Sequence, residues 1–147
     1  MSRYALRSFT LQVADPGPLT ECGSSDAATQ ALRAMYADLD ADQEHFSILA
    51  LNNKTRAVGF KSIFTGTATA SLVHPREVFR AAIMLGAVSI ILAHNHPSGD
   101  PEPSDEDVQI TKRMVEAGRL LGIPVADHII LGSPRAFSFK GEGVLTC

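Results

Sequence analysis

The spacing of apolar residues changes along this chain, and each change predicts a new element. Ala28, Leu32, Met35 and Leu39 recur at three and four residues. They form one stripe of a helix that Ser25 or Asp26 can cap and that runs to about Leu39. Glu44 and His45 then lead into Phe46–Leu51, a short apolar run of strand length, and Asn52, Asn53 and Lys54 separate it from Arg56–Lys61. That pair predicts a hairpin. Ile63–Val73, rich in Thr and β-branched residues, predicts more strand, broken at Gly66. His74-Pro75-Arg76-Glu77 opens a helix ending near Gly86, with proline at its favoured first position. Val88–Ala93 predicts an apolar strand and His94–Pro103 a loop. A helix from Ser104 through Leu121 follows, with Ile110, Met114, Ala117 and Leu121 on one side and Gly122 at its end. Val125–Leu131 and Ala136–Phe139 complete the pattern as two strands flanking Gly132-Ser133-Pro134. Helices alternating with strands predict an α/β or α+β class, a mixed sheet sandwiched between helices.

Length and composition narrow the picture. The 147 residues suit one domain, and 45% hydrophobic against 20% charged residues is a globular balance. A chain of this size buries roughly 68–70% of its unfolded surface, so a metal is expected to serve chemistry rather than folding. The net charge of -3 argues against a surface that neutralises phosphates, and the absence of Trp with only two Tyr leaves few platforms for stacking bases. Direct contact with nucleic acid is therefore not expected. The longest apolar stretch, Ala81–Ala93, falls short of the roughly 20 residues a spanning helix needs, so no membrane segment is expected. Asp15-Pro16-Gly17-Pro18 reads as a loose lead-in, which divides the chain into an arm over residues 1–23 and a domain over 24–147. Cys22 and Cys147 form no paired motif, and no signal segment opens the chain; both point to a cytoplasmic protein with free thiols.

The segment from His94 to Asp107 carries the chemistry. Two histidines one residue apart at a strand's end point to the same side, with Cα atoms roughly 6–7 Å apart, so His94 and His96 can converge on one ion. The intervening loop turns the chain back, and Asp107 falls in the first turn of the next helix. Two imidazoles and a carboxylate are three protein ligands, the number that leaves zinc an open position for water. Each piece also has an ordinary reading. A His pair at a strand end is often just a polar loop boundary, and Ser104 with Asp107 spells a helix cap. The cap is compatible with a role for Ser104 and competes for the carboxylate of Asp107.

His94-x-His96, seven residues and then Ser104-x-x-Asp107 resemble the motif of the JAMM metallopeptidases. Ile91-Leu-Ala-His-Asn-His-Pro-Ser-Gly-Asp100, Asp127-His128-Ile-Ile-Leu-Gly132, Gly66-Thr67 and His74-Pro75-Arg76-Glu77 resemble the RadC branch of that family. The resemblance runs from about Ala27 to the C-terminus. It implies a mixed sheet between helices related to that of cytidine deaminases, and hydrolysis of a peptide or isopeptide bond. It further implies zinc held by His94, His96 and Asp107, a serine (Ser104) that supports the reaction intermediate, and an upstream glutamate as general base. Glu44, directly ahead of Phe46–Leu51, fills that last slot, with Glu77 and Glu102 as weaker substitutes; an acid at such a junction is otherwise merely solvated. His45 is expected to point away, and His74 to help start its helix. Asp127 and His128 are open between orienting a ligand and a structural pair. The resemblance implies a helix-hairpin-helix segment at the N-terminus of full-length RadC proteins, for which this sequence leaves no room; on that expectation the branch's DNA-repair label carries less weight here.

Three readings compete: a zinc hydrolase acting on a peptide or protein conjugate, a DNA-repair-associated protein, and a non-catalytic zinc-bearing interaction module. The string His-Asn-His is not a nuclease signature, since such nucleases do not use three adjacent residues, and a zinc deaminase would need a Cys-x-x-Cys that is absent. A homodimer is the oligomer expected. Thiol titration of the denatured, unreduced protein should find two free groups per chain; finding none would overturn the cytoplasmic reading.

Overall fold

Six strands lie in one mixed sheet in the computed structural model, which describes residues 19–145. The elements are β1 (Thr20–Glu21), α1 (Ser25–Tyr36), β2 (His45–Leu51), β3 (Arg56–Thr65), α2 (Pro75–Met84), β4 (Ser89–Asn95), α3 (Asp105–Leu121), β5 (Val125–Leu131) and β6 (Ala136–Ser138). Their order across the sheet is β1-β3-β2-β4-β5-β6, and every neighbouring pair is antiparallel except β4 and β5. That parallel pair requires a crossover, and α3 supplies it.

The sheet is covered on both faces, as expected. β2, β4 and β5 are central, so they are apolar on both sides and their residues alternate between two cores. Leu49, Leu51, Ile91, Ala93, Ile129 and Leu131 pack with Ala28 and Leu32 of α1. Phe46, Ile48, Ile90, Leu92 and Ile130 pack on the other face with Val78 and Phe79 of α2 and Ile110 and Met114 of α3. The functional consequence lies at the end of β4, where alternation sends His94 to the α2–α3 face and Asn95 to the α1 face. No helix among the described residues is long and apolar enough to cross a membrane.

Several expectations need correction. The arm does not extend to residue 23: Thr20 and Glu21 pair with Ala57 and Arg56, and Cys22 is buried in the α1-side core. Residues 1–18 and Cys147 lie outside the described residues. Helix α1 is capped by Ser24, whose Oγ accepts from Ala27 N–H at 3.1 Å, because the Ser25 hydroxyl is drawn to Ser138 and Asp127 across the sheet. It ends at Tyr36 rather than Leu39, since local hydrogen bonds compete: Asp42 N–H donates to Asp40 Oδ1 and His45 Nε2 meets the Asp40 carbonyl. Met35 is consequently 44% exposed while Ala28 and Leu32 are buried.

β3 runs unbroken from Arg56 to Thr65 through a bulge opposite Phe46 and Ser47, whereas residues 66–73 are not strand. Gly66, at φ +124°, turns the chain out of the sheet, and side chains then capture the following backbone. Ala70 N–H donates to Glu106 at 2.8 Å, and Arg113 donates to the Ala70 carbonyl. On α3 the buried line runs through Asp107, Ile110, Thr111, Met114 and Gly118, leaving Ala117 half-buried and Leu121 exposed.

Replacing fully buried Leu32 by Ala should cost about 2–5 kcal/mol, because nothing can collapse into the gap between α1 and the sheet. Met35→Ala, on the exposed side, should stay within about 0.5 kcal/mol. Urea unfolding of the two variants checks the ordering, and equal losses would contradict the placement of α1.

Candidate metal centre

β4 delivers His94 to the rim of the sheet, fully buried on the α2–α3 face. The chain then turns sharply at Gly99, whose φ of +88° favours glycine and whose N–H donates to the His96 carbonyl at 2.9 Å. Gly132 lets this loop close, since a Cβ there would collide with the carbonyl oxygens of Gly99 and Arg135. The His96 main chain is fastened by its own N–H to Leu131 O at 3.0 Å, so the ring folds back beside His94. Asp107 arrives from the opposite side at the third position of α3.

The three side chains converge closely. Nε2 of His94 lies 3.0 Å from Nε2 of His96 and 3.1 Å from Asp107 Oδ1, and His96 Nε2 lies 3.1 Å from Asp107 Oδ2. Glu44 joins them with Oε1 3.8 Å from His94 Nε2, and one ligand atom from each of the four residues lies within 4.8 Å of the others. The competition expected at Asp107 does not arise. Its Oδ2 accepts from Ser104 N–H at 2.8 Å while its own N–H donates to Ser104 Oγ at 3.2 Å, closing a capping box. A carboxylate has lone pairs enough for the cap and the cluster together.

The donor chemistry of this cluster fits a zinc ion. His96 Nδ1 is 2.8 Å from the Asp100 carbonyl, which only accepts, so the proton sits on Nδ1 and the Nε2 lone pair faces inward. Asp107 is buried to 2% exposure with both oxygens turned to imidazoles. Burial alone would push its pKa up, but the adjacent His94 and His96 rings outweigh this and hold the carboxyl well below the usual carboxylate range. The same contact with Asp107 raises His96 above its ordinary value against the opposing effect of burial. Inward-facing lone pairs and a carboxylate at this separation could hold a metal ion, and two nitrogens with an oxygen suit zinc.

Glu44 faces the cluster; Glu77 pairs with Arg76 on the surface, and Glu102 sits on an exposed part of the loop. Glu44 is held firmly. Ala68 N–H donates to its Oε2 at 3.3 Å and Gly66 N–H to its carbonyl at 2.8 Å. Asn95, pointing away from the histidines that flank it, brackets Glu44: Nδ2 donates to Gln43 O at 2.9 Å and Oδ1 accepts from His45 N–H at 2.8 Å. Sequence reasoning missed Asn95, although strand alternation between two inward histidines was the available signal. His45 points to the α1 side, against the Tyr36 ring and the Asp40 carbonyl, and His74 caps α2 by accepting from Arg76 N–H at 3.0 Å.

Asp127 and His128 part company. Asp127 binds Ser138, Lys140 N–H and its neighbour's N–H, tying β5 to β6 and the following turn. His128 turns to the other face, with its Nε2 2.9 Å from Nδ1 of His94 and its Nδ1 2.6 Å from Thr111 Oγ1. Desolvation, and next the neighbouring His94, lower its pKa well below the ordinary value, so it is neutral. Thr111 was not singled out either; its place four residues after Asp107 on the buried line of α3 was the signal.

A mixed sheet between helices, with a His-x-His pair at a strand end and an aspartate in the first turn of the crossover helix, defines an α/β domain whose side-chain cluster could hold a metal ion. The family model described as "RadC-like JAB domain" matches residues 22–144. The chain belongs to that family. Among curated relatives, it is 55% identical over 101 residues to a UPF0758 protein of Caldanaerobacter subterraneus, which covers 69% of this chain and 43% of that protein. It is 54% identical over 118 residues to a UPF0758 protein of Bacillus cereus, covering 80% and 51%, and 46% identical over 124 residues to one of Clostridium kluyveri, covering 84% and 53%. The chain spans about half the length of the curated relatives it matches.

Elemental analysis of the purified protein should find one zinc per chain, and His96→Ala or Asp107→Asn should lose most of it. Protons compete for the ligands, and Asp107 raises the proton affinity of His96. Zinc should therefore dissociate as pH falls through the histidine range, beginning at its upper end. Equal metal in wild type and His96→Ala would overturn the assignment.

Proposed function

We propose that this domain is a zinc-dependent hydrolase of peptide or isopeptide bonds, acting on a peptide or protein conjugate in the cytoplasm. The observation that carries the reading is the position of Glu44, a carboxylate beside three convergent ligands yet bound through only one of its two oxygens. A zinc ion held by His94, His96 and Asp107 would activate a water molecule and polarise a carbonyl. Glu44 Oε1 is free to take a proton from that water and return it to the leaving amine. Ser104 spends a lone pair on the helix cap and keeps its hydroxyl hydrogen, which is available to a developing oxyanion. Asn95 and the Gly66–Ala68 backbone fix the base in place, so little reorganisation is needed during proton transfer.

Glu44→Gln keeps size and hydrogen bonding but removes proton acceptance. It should retain zinc and fold while losing about 10²–10⁴-fold in hydrolysis across a panel of peptides and isopeptide-linked conjugates. Ser104→Ala should lose less, with a stability cost of ~1 kcal/mol from the weakened cap. Cleavage undiminished in Glu44→Gln would remove Glu44 as the base. A zinc-loaded wild type that cleaves nothing on the panel would favour the non-catalytic interaction module.

A further inference from the structure

A fully buried imidazole lies immediately behind the metal ligands, and no step of the proposed hydrolysis uses it. His128 is 0% exposed, on a face of β5 otherwise given to the apolar core. Its ring stacks on Phe139 at 4.8 Å between centroids with 8° between planes, and meets Phe46 edge-on at 5.8 Å. Phe46 also stacks on His94. The two imidazoles are thus fixed in plane by aromatic neighbours, and only their protons remain to be assigned.

Elimination assigns them. Thr111 Oγ1 lies 2.7 Å from the Asp107 carbonyl oxygen, and the hydroxyl hydrogen is the only hydrogen that can stand between those two oxygens. Thr111 therefore donates to Asp107 O and presents a lone pair to His128. His128 Nδ1, 2.6 Å away, must donate to it. Fully buried against Phe46 and Phe139, with no carboxylate among its hydrogen bonds, the ring carries a single proton and has an acceptor at Nε2, which receives Nδ1–H of His94 at 2.9 Å. This leaves the lone pair of His94 on Nε2, the atom facing His96, Asp107 and Glu44. One chain of hydrogen bonds thus runs from the backbone of one ligand, Asp107, through Thr111 and His128 to the ring of another, His94.

We infer that His128 and Thr111 are positioning residues for the metal centre: together they hold His94 as the Nδ1–H tautomer and present its Nε2 to the metal. The inference rests on the metal reading of the cluster, and it gives β5 a function beyond pairing. His96 needs no such side chain, because the Asp100 carbonyl orders its ring directly. His94 is buried among side chains and has no main-chain acceptor among its hydrogen bonds. A second imidazole takes the place that a carboxylate or carbonyl commonly fills behind a metal-bound histidine, without adding a negative charge to the site.

The experiment measures zinc affinity by competition with a chromophoric chelator for wild type, His128→Leu, His128→Gln, Thr111→Val and Thr111→Ser, with urea unfolding of each metal-free protein. His128→Leu should weaken zinc binding about 10–100-fold, and His128→Gln, which restores an acceptor, should recover part of the loss. Thr111→Val, nearly isosteric, should weaken binding by a smaller factor, while Thr111→Ser should match wild type. Ile130→Val, a core change on the same face of β5, should lower stability without moving zinc affinity. Nitrogen-15 spectra of the zinc-loaded wild type should show His94 protonated at Nδ1. Affinities of His128→Leu and Thr111→Val within about twofold of wild type, or His94 protonated at Nε2, would overturn the inference while leaving the metal site standing. If His128→Leu does not fold, the Thr111 pair and the spectra decide alone. A wild type that binds no zinc would overturn both readings.

Discussion

Three groups that accept hydrogen bonds meet at about 3 Å within the protein, and the fold is arranged around that convergence. His94 Nε2, His96 Nε2 and the Asp107 carboxylate share a space that a metal ion could fill. The rest of the site keeps them acceptors. The Asp100 carbonyl accepts from Nδ1–H of His96, His128 accepts from that of His94, and the capping box orients Asp107. Each device is a hydrogen bond made on the far side of a ligand, where it directs the lone pair inward without occupying it.

The sheet makes this arrangement rigid. β4 lies between β2 and β5 with both faces covered, so His94 starts from a backbone that cannot shift without disturbing two cores. The same alternation that sends His94 to one face sends Asn95 to the other, where its amide grips the backbone on both sides of Glu44. A single dipeptide therefore contributes a ligand and anchors the candidate base on the neighbouring strand. Helix α3 has a comparable double duty. Its first turn carries Asp107 with a complete cap, and one turn later Thr111 reaches back to the Asp107 carbonyl and across to β5. Glu106 and Arg113 clasp Ala70 and hold the segment that closes over Glu44.

Much of this was legible in the chain because it follows from local rules. The periods of apolar residues placed every helix and strand longer than two residues to within a few positions, since those periods follow from helical and pleated geometry. His94, His96, Ser104 and Asp107 were legible from spacing, because a strand end, a tight loop and a helix start determine where their side chains go. Glu44 was legible only through the family resemblance, and its orientation was not. The ends of α1, the course of residues 66–73 and the short β1 were decided in the folded molecule. Ser25 left its capping position for Asp127 and Ser138, and Ala68 and Ala70 were captured by side chains 24 to 43 positions away in sequence.

By itself, then, the sequence determined the mixed sheet between helices and the three side chains that converge, because short-range geometry and burial control both. Only the tertiary structure decided that Glu44 faces those ligands, that Asn95 brackets it, and that Thr111 and His128 stand behind His94. Those contacts join residues 17 to 52 positions apart, on elements whose relative placement depends on packing the whole sheet. No local period encodes them. An adjacent pair such as Asp127 and His128 shows why: pleating turns one to a structural network and the other to the metal centre, and which face holds the centre is settled only once β4, β5 and α3 have come together.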